Sequence, residues 1–371
     1  MSINDIILIL MVIFFIIGAI DYRLGNRFGY GEKFREGFLA MGPLSLSMLG
    51  LVSLAPVLAS WLSPIIVPIY TLFGADPAMF AGSLLAIDMG GYALAQELAM
   101  TDEAAALSGI LLGTMMGPTI VFTIPVALTI IKREDKDIFA KGILIGMMTI
   151  PIGSFVGGVV ANFETSMLIR NLIPATLFAV IIALGLWRAP QHVVSLFSIF
   201  GKVVEWFIIG GLIAAVVQAL TGFVLIPNLT PIDEGILIVG KIAIVLAGAF
   251  PLVHFITITF NPILKWIGKK MGMNAIASAG VISSLAHVIP TLTMLDKMDN
   301  RGKVINIAFA VSGASVLGAH LGFTAGVDST MIVPMIVGKL VAALSAVIVA
   351  SLFVNVNNNI SYTQSRRSEE V

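Results

Sequence analysis

The chain has 371 residues, 58% of them apolar and 11% charged, with 21 basic and 21 acidic side chains and no cysteine. Soluble domains carry roughly 25% charged residues, whereas a mean hydropathy of +1.03 marks a chain that crosses a membrane many times. Zero formal charge offers no overall field for nucleic acid or an acidic partner, and the lack of Cys excludes disulfides and thiolate chemistry while saying little about compartment.

A helical span needs about 20 apolar residues. The first run, 3–20, has no basic residue ahead of it and Arg23 and Arg27 behind. That is the reverse of a cleaved signal peptide, so it is expected to remain as a helix. Next come 37–62, an apolar piece 63–74 with Pro64 and Pro68 expected to lie along the outer face, and a stretch 78–99 broken by Gly90-Gly91. Runs at 105–131 and 142–161 complete the first half. A helix at 168–187 leads to 203–226, 236–260, a stretch 274–295 broken by Pro290, then 304–325 and 331–354. The polar tail 355–371 is expected to be disordered and cytoplasmic.

If both broken stretches enter and leave on the same side, 18 Lys/Arg fall on one side and only Arg170 on the other, with Lys241 and Lys339 inside spans. The positive-inside rule then puts the N-terminus outside and the C-terminus in the cytoplasm. The pattern also doubles. Gly42 and Pro56 stand fourteen residues apart, as do Gly248 and Pro262. Stretch 80–92 aligns with 278–290 on a shared Ala-Gly, which sets Ser108 and Thr114 opposite Asn306 and Ser312. Five crossings separate equivalent helices, so the second copy is inverted. The expected fold is an all-α polytopic membrane protein with about nine full spans plus two re-entrant or broken helical segments (alternatively 10–11 spans), in inverted structural repeats. Residues 1–161 form the first repeat, 168–187 the connecting helix and 200–354 the second repeat. Such repeats with broken helices point to a carrier whose substrate site lies at mid-membrane.

Few polar residues are placed to serve that site. Asp88, two positions before Gly90-Gly91, would cost about 2.5–3.5 kcal/mol to bury alone, so it faces either a cation in a cavity or a partner such as Lys339 or His320. Glu97 stands nearer the end of the same segment, as a surface carboxylate or a ligand. Asn306, Gly313 and His320 recur every seven residues with Ser312 beside them, a polar stripe that reads as cavity lining or as interhelical packing. His320 and His287 are either neutral hydrogen-bonding groups or proton-sensitive ones. Pro118 and Pro125 remove backbone donors and leave carbonyls near 114 and 121 without partners, so Thr114, Thr119 and Thr123 either line a cavity or mend the kinks. Lys339 snorkels outward, pairs with Asp88, or repels cations from an empty site. No HExxH, Walker loop or GxSxG elbow occurs, no metal or cofactor is implied, and nothing places a Ser beside a His for an intramembrane hydrolase.

The blocks EGFLAMG (36–42), FAGSLLAIDMGGYALAQELA (80–99), MMGPTIVFTIPVAL (115–128), TIPIG (149–153), RGKVINIAFAVSGASVLGAHLGF (301–323) and PMIVGKL (334–340) closely resemble the bacterial ethanolamine utilization transporter family over nearly the whole chain. The resemblance implies a multi-pass inner-membrane carrier admitting ethanolamine by facilitated diffusion, not an enzyme; the alternative is a proton- or sodium-coupled carrier of another small amine or ion. Implied partners are ethanolamine and the lipid bilayer, with room for a homo-oligomer and no nucleic acid. Asp88, Glu97, Thr119, Asn306, Ser312 and His320 fall within matching blocks and form the expected substrate-binding set, with Phe122, Phe309 or Phe323 as an aromatic face for the ammonium. Two departures stand out. The family commonly reads Gly-Asp-His-Leu-Gly where Ala319 precedes His320 here, and Gln96 replaces an expected Lys before Glu97.

Overall fold

Long apolar runs with few breakers become helices, and in a computed structural model describing residues 2–369 every regular element among those residues is helical. In chain order they are α1 (Ile3–Arg23), α2 (Tyr30–Leu39), α3 (Met41–Leu72), α4 (Met79–Leu84) and α5 (Tyr92–Leu98). The span Asp102–Ile130 follows, assembled from α6 (Asp102–Ala106), α7 (Met116–Pro118) and α8 (Ile124–Ile130) joined by π-type and 3-10 turns. Then come α9 (Lys136–Val160), α10 (Thr165–Arg188), α11 (Pro190–Thr221), α12 (Ile232–Lys270), α13 (Ala275–Ala286), α14 (Val288–Thr293), α15 (Asn300–Gly313), α16 (Ala319–Val327) and α17 (Ile332–Glu369). Eight helical stretches among the described residues are long and apolar enough to cross a membrane.

Three expectations differ from what is seen. The piece 63–74 does not lie apart but continues α3, despite Pro56, Pro64 and Pro68. Three hydroxyls of this helix bond back to the preceding turn: Ser60 Oγ donates to Val57 O at 2.7 Å, Ser63 Oγ to Ala59 O at 2.6 Å and Thr71 Oγ1 to Val67 O at 2.7 Å, so none is left unpaired in an apolar setting. The run 304–325 is not one helix. Ala314 has an extended ψ of 141° and Ser315 a left-handed φ of 58°, so α15 and α16 are separate. Finally, α17 runs to Glu369, through the segment expected to be a disordered tail; past the nucleating turn each further residue fixed gains a hydrogen bond of its own.

Each broken stretch doubles back on itself. Asp76, before α4, accepts Ala78 N and Met100 N, each at 2.8 Å, so the two ends of the first stretch meet. Asn274, before α13, accepts Ala277 N at 2.8 Å, while its Nδ2 donates to Lys297 O at 3.1 Å and its amide to Asp299 Oδ1 at 2.8 Å. Thr101 then N-caps α6 and Asp299 N-caps α15, each offering an oxygen to otherwise unpaired helix-starting amides.

Similar duties recur 198 residues apart. Gly82 N donates to Ser108 Oγ at 3.0 Å, and Ser108 Oγ in turn donates to Ala78 O. In the second half Asn306 Nδ2 donates to Ala277 O at 2.9 Å and its side chain lies against Gly280. Helices also cross between the halves. A Cβ on Gly50 of α3 would fall 1.8 Å from Ile208 O of α11, and one on Gly248 of α12 would fall 2.4 Å from Met11 O of α1. Small residues of this kind let backbones approach where lipid offers no hydrophobic drive to associate. The residue that shares the duty of Gly248 is therefore Gly50, whereas a Cβ on Gly42 would meet nothing within 4 Å. α9 packs on α17 the same way, with Gly153 against the Gly338 carbonyl.

One buried ion pair ties the halves: Lys303 Nζ of α15 lies 2.5 Å from Asp135 Oδ1 just before α9, with side-chain exposures of 10% and 3%. The glycine contacts set a first expectation. Gly50→Leu and Gly248→Leu should each lower thermal stability in detergent by several degrees or abolish folding, because overpacking typically costs about 1–3 kcal/mol. Gly210→Ala, with open space around it, should leave the melting temperature unchanged or raise it slightly.

Candidate functional site

The tips of the two hairpins meet the broken parts of the spans that follow them. Between α4 and α5 the backbone unwinds: Leu85 and Ala86 are extended, and a π-type turn at Ile87–Gly91 contains Gly90 at φ 82°. A side chain at Gly90 would be strained by that angle and would strike Leu51 at 2.6 Å, so glycine is required there. The extended piece lies on Gly117, where a Cβ would come within 1.9 Å of Leu85 O. The second hairpin repeats the device. His287 is extended, and the last helical turn before it accepts Ser315 N at Ser284 O (2.8 Å) and Leu317 N at Leu285 O (3.0 Å). Backbone that leaves the helix at 314–318 is thus paired with the otherwise open carbonyls at the C-terminal end of α13.

These four interruptions enclose a cavity of about 120 Å³ whose polar lining includes Asp88, Thr114, Thr123, His287, Ser315 and His320. A hollow of about 500 Å³ beside Asn4, Asp102 and Thr330 lies away from both tips. Asp88 is half-buried and takes part in none of the ion pairs among the described residues. No other residue donates a hydrogen bond to it there, its own backbone amide apart. His287 N-caps α14 by accepting Ile289 N at Nδ1 (3.2 Å), and its ring stands edge-on to Phe122 with centroids 6.0 Å apart.

Behind the His320 wall lies Lys339, with no exposed surface. Its Nζ donates to Thr114 O at 2.6 Å and sits 3.1 Å from His320 Nδ1. Pro118 cannot donate to the Thr114 carbonyl, and a lysine from another helix does so instead. Lys339 therefore neither snorkels outward nor forms a salt bridge with Asp88.

Of the six expected ligands, the cavity brings together Asp88 and His320. Asn306 is fully buried and committed to Ala277 O and Gly302 O, both at 2.9 Å. Ser312 is also fully buried and does not line the cavity. Break 314–318 removes the helical register that would have aligned them with His320. Thr119 donates to Met115 O at 2.7 Å and lies 3.3 Å from Val311 O, and it does not line the cavity. Glu97 is exposed and lines a different cavity of about 180 Å³ with Gln96, Glu234, Tyr92 and Phe323, whose floor includes Ile87 and Gly90. The first hairpin tip therefore separates two cavities. Phe122 lines the central one, Phe323 the other, and Phe309 is buried at 5% exposure. Ser315 escaped the sequence reading, since nothing local signals its left-handed backbone.

The bonds of Asn306 predict a structural phenotype. Asn306→Leu should lower stability by about 1–3 kcal/mol, the price of leaving buried carbonyls unpaired, and any folded fraction should retain its half-saturation for substrate, measured by uptake normalised to folded protein.

Residues 3–353 match the sequence model of the family described as ethanolamine utilisation protein, EutH. The chain is 59% identical to a protein of Listeria monocytogenes named "Probable ethanolamine permease EutH", over 96% of this chain and 95% of that one. It is 46% identical to an Escherichia coli protein of the same name, over 95% and 96%, and 53% identical to the "Uncharacterized protein YxeR" of Bacillus subtilis, over 95% of each. No solved structure matches.

Proposed function

The chain belongs to the EutH family of ethanolamine utilisation proteins, and from that membership we propose that it carries ethanolamine across the bacterial inner membrane by facilitated diffusion through the cavity between the hairpin tips. The family is one of permeases, transporters and not enzymes. One observation carries the choice of site: Asp88, an acid without an ion-pair partner among the described residues, opens on a cavity walled by unwound backbone from two hairpins and two spans. An intramembrane carboxylate is stable in such a place only with water or a cation to meet it. Ethanolamine at neutral pH offers an ammonium for Asp88 and a hydroxyl for a second polar wall, with Phe122 near enough to add cation–π attraction.

The spacing of paired contacts by 198 residues supports the reading of two repeats, and the positive-inside count supports an outside N-terminus with the first hairpin entering from outside and the second from the cytoplasm. The two tips differ in exposure. Ile87, Gly90 and Gly91 are buried, whereas His287, Ile289 and Pro290 are exposed. That asymmetry supports a state open past the second hairpin and closed by the first, as a carrier with access from one side at a time requires.

Uptake into proteoliposomes tests the site. Asp88→Asn should reduce saturable ethanolamine uptake at least tenfold while leaving the amount of folded protein unchanged; near-normal uptake would remove Asp88 from the pathway. Uptake by the unaltered protein should persist when proton and sodium gradients are collapsed, and a loss there would favour the coupled carrier. Because the chain has no cysteine, orientation can be read with single thiols. Glu164→Cys should react with an impermeant maleimide on intact cells, and Lys136→Cys only after the membrane is opened.

A further inference from the structure

We propose that Lys339 is a positioning residue that holds His320 as a hydrogen-bond donor toward the cavity, so that the carrier selects amines bearing a hydroxyl oxygen. The inference rests on the transport reading above and adds the substrate feature that the second wall recognises.

An ammonium has three donors and no acceptor, while a neutral imidazole donates from one nitrogen and accepts at the other. Lys339 Nζ stands 3.1 Å from His320 Nδ1 and 2.6 Å from Thr114 O. Taking Lys339 as an ammonium that donates to both, we assign Nδ1 as the acceptor and the proton of the ring to Nε2. The second nitrogen of a histidine is set in this way by the bond the first one makes. Nε2 has no protein partner among the described residues, and His320 lines the cavity. The cavity that holds Asp88 thus also has an N–H that needs an acceptor.

The charges agree with that division. Asp88 from the first hairpin, His287 from the second, and His320 with Lys339 behind it are the titratable groups at this cavity. A cation on one side and a carboxylate on the other orient a short amine with its ammonium toward Asp88. Its other end then meets the Nε2–H. A hydroxyl oxygen accepts that proton, whereas an alkyl end leaves a buried donor unpaired, which is the kind of mismatch that sites exploit to reject analogues lacking a polar group.

Ethylamine differs from ethanolamine by that hydroxyl alone. In competition for labelled ethanolamine uptake, the unaltered protein should prefer ethanolamine over ethylamine by about tenfold, the range expected for one unpaired buried donor. Lys339→Met frees the tautomer and should shrink this preference to about twofold or less, mainly by weakening ethanolamine. A preference that stays near tenfold in folded Lys339→Met overturns the proposal. Should that variant fail to fold, His320→Phe must show the same collapse, and a retained preference there overturns the proposal equally. A direct readout needs no transport. In ¹⁵N-histidine spectra of the full chain, with four His in all, the signal lost in His320→Phe should report a protonated Nε2 and a bare Nδ1; a protonated Nδ1 overturns the assignment. If ethanolamine is not carried at all, the transport reading fails, while the spectra still decide the tautomer.

Discussion

Backbone that leaves the helix inside a bilayer has no water to satisfy it, so it survives only where protein covers it or a wet cavity meets it. The whole centre of this protein obeys that constraint. Ser315 and Leu317 donate to Ser284 and Leu285, Lys339 donates to the Thr114 carbonyl freed by Pro118, and Gly117 lets the extended Leu85–Ala86 backbone lie against it. Each interruption is answered by a group from another element of the chain.

The same constraint explains where polarity is found. Ser108 and Asn306 grip the first helices of the two hairpins, and Asp76 and Asn274 tie the hairpin ends. These residues are polar because a short helix in an apolar setting must be fastened by hydrogen bonds to hold its position. What remains after that fastening is a small set around one cavity, which includes Asp88 and His320, the latter backed by Lys339. The division between residues that hold the hairpins and residues that face the cavity is what turns a packed bundle into a candidate pathway.

The first hairpin tip adds a second consequence. Its backbone lines two cavities, with Asp88 facing the central one and Ile87 and Gly90 facing the one that holds Glu97 and Glu234. That partition is built around a left-handed glycine packed on Leu51 and is tied at its base by Asp76. Glu97, expected as a ligand, lines that outer compartment.

Hydropathy determined the membrane class, because span length and lipid solvation act on composition alone; Gly90-Gly91 and Pro290 marked the two broken stretches, and the offset on a shared Ala-Gly set Ser108 opposite Asn306. The freed carbonyl near position 114 was also legible, since proline lacks an N–H wherever it stands. Register across residues 314–318, the use of Gly50 opposite Ile208, and the partner of Lys339 were decided only by tertiary structure. A seven-residue polar repeat predicts a shared face only while the helix persists, and Ser315 leaves it in a conformation that no neighbouring residue announces. Lys339 had three outlets in the sequence and found Thr114 and His320 because three separate elements converge there, a fact of packing that one-dimensional spacing does not contain.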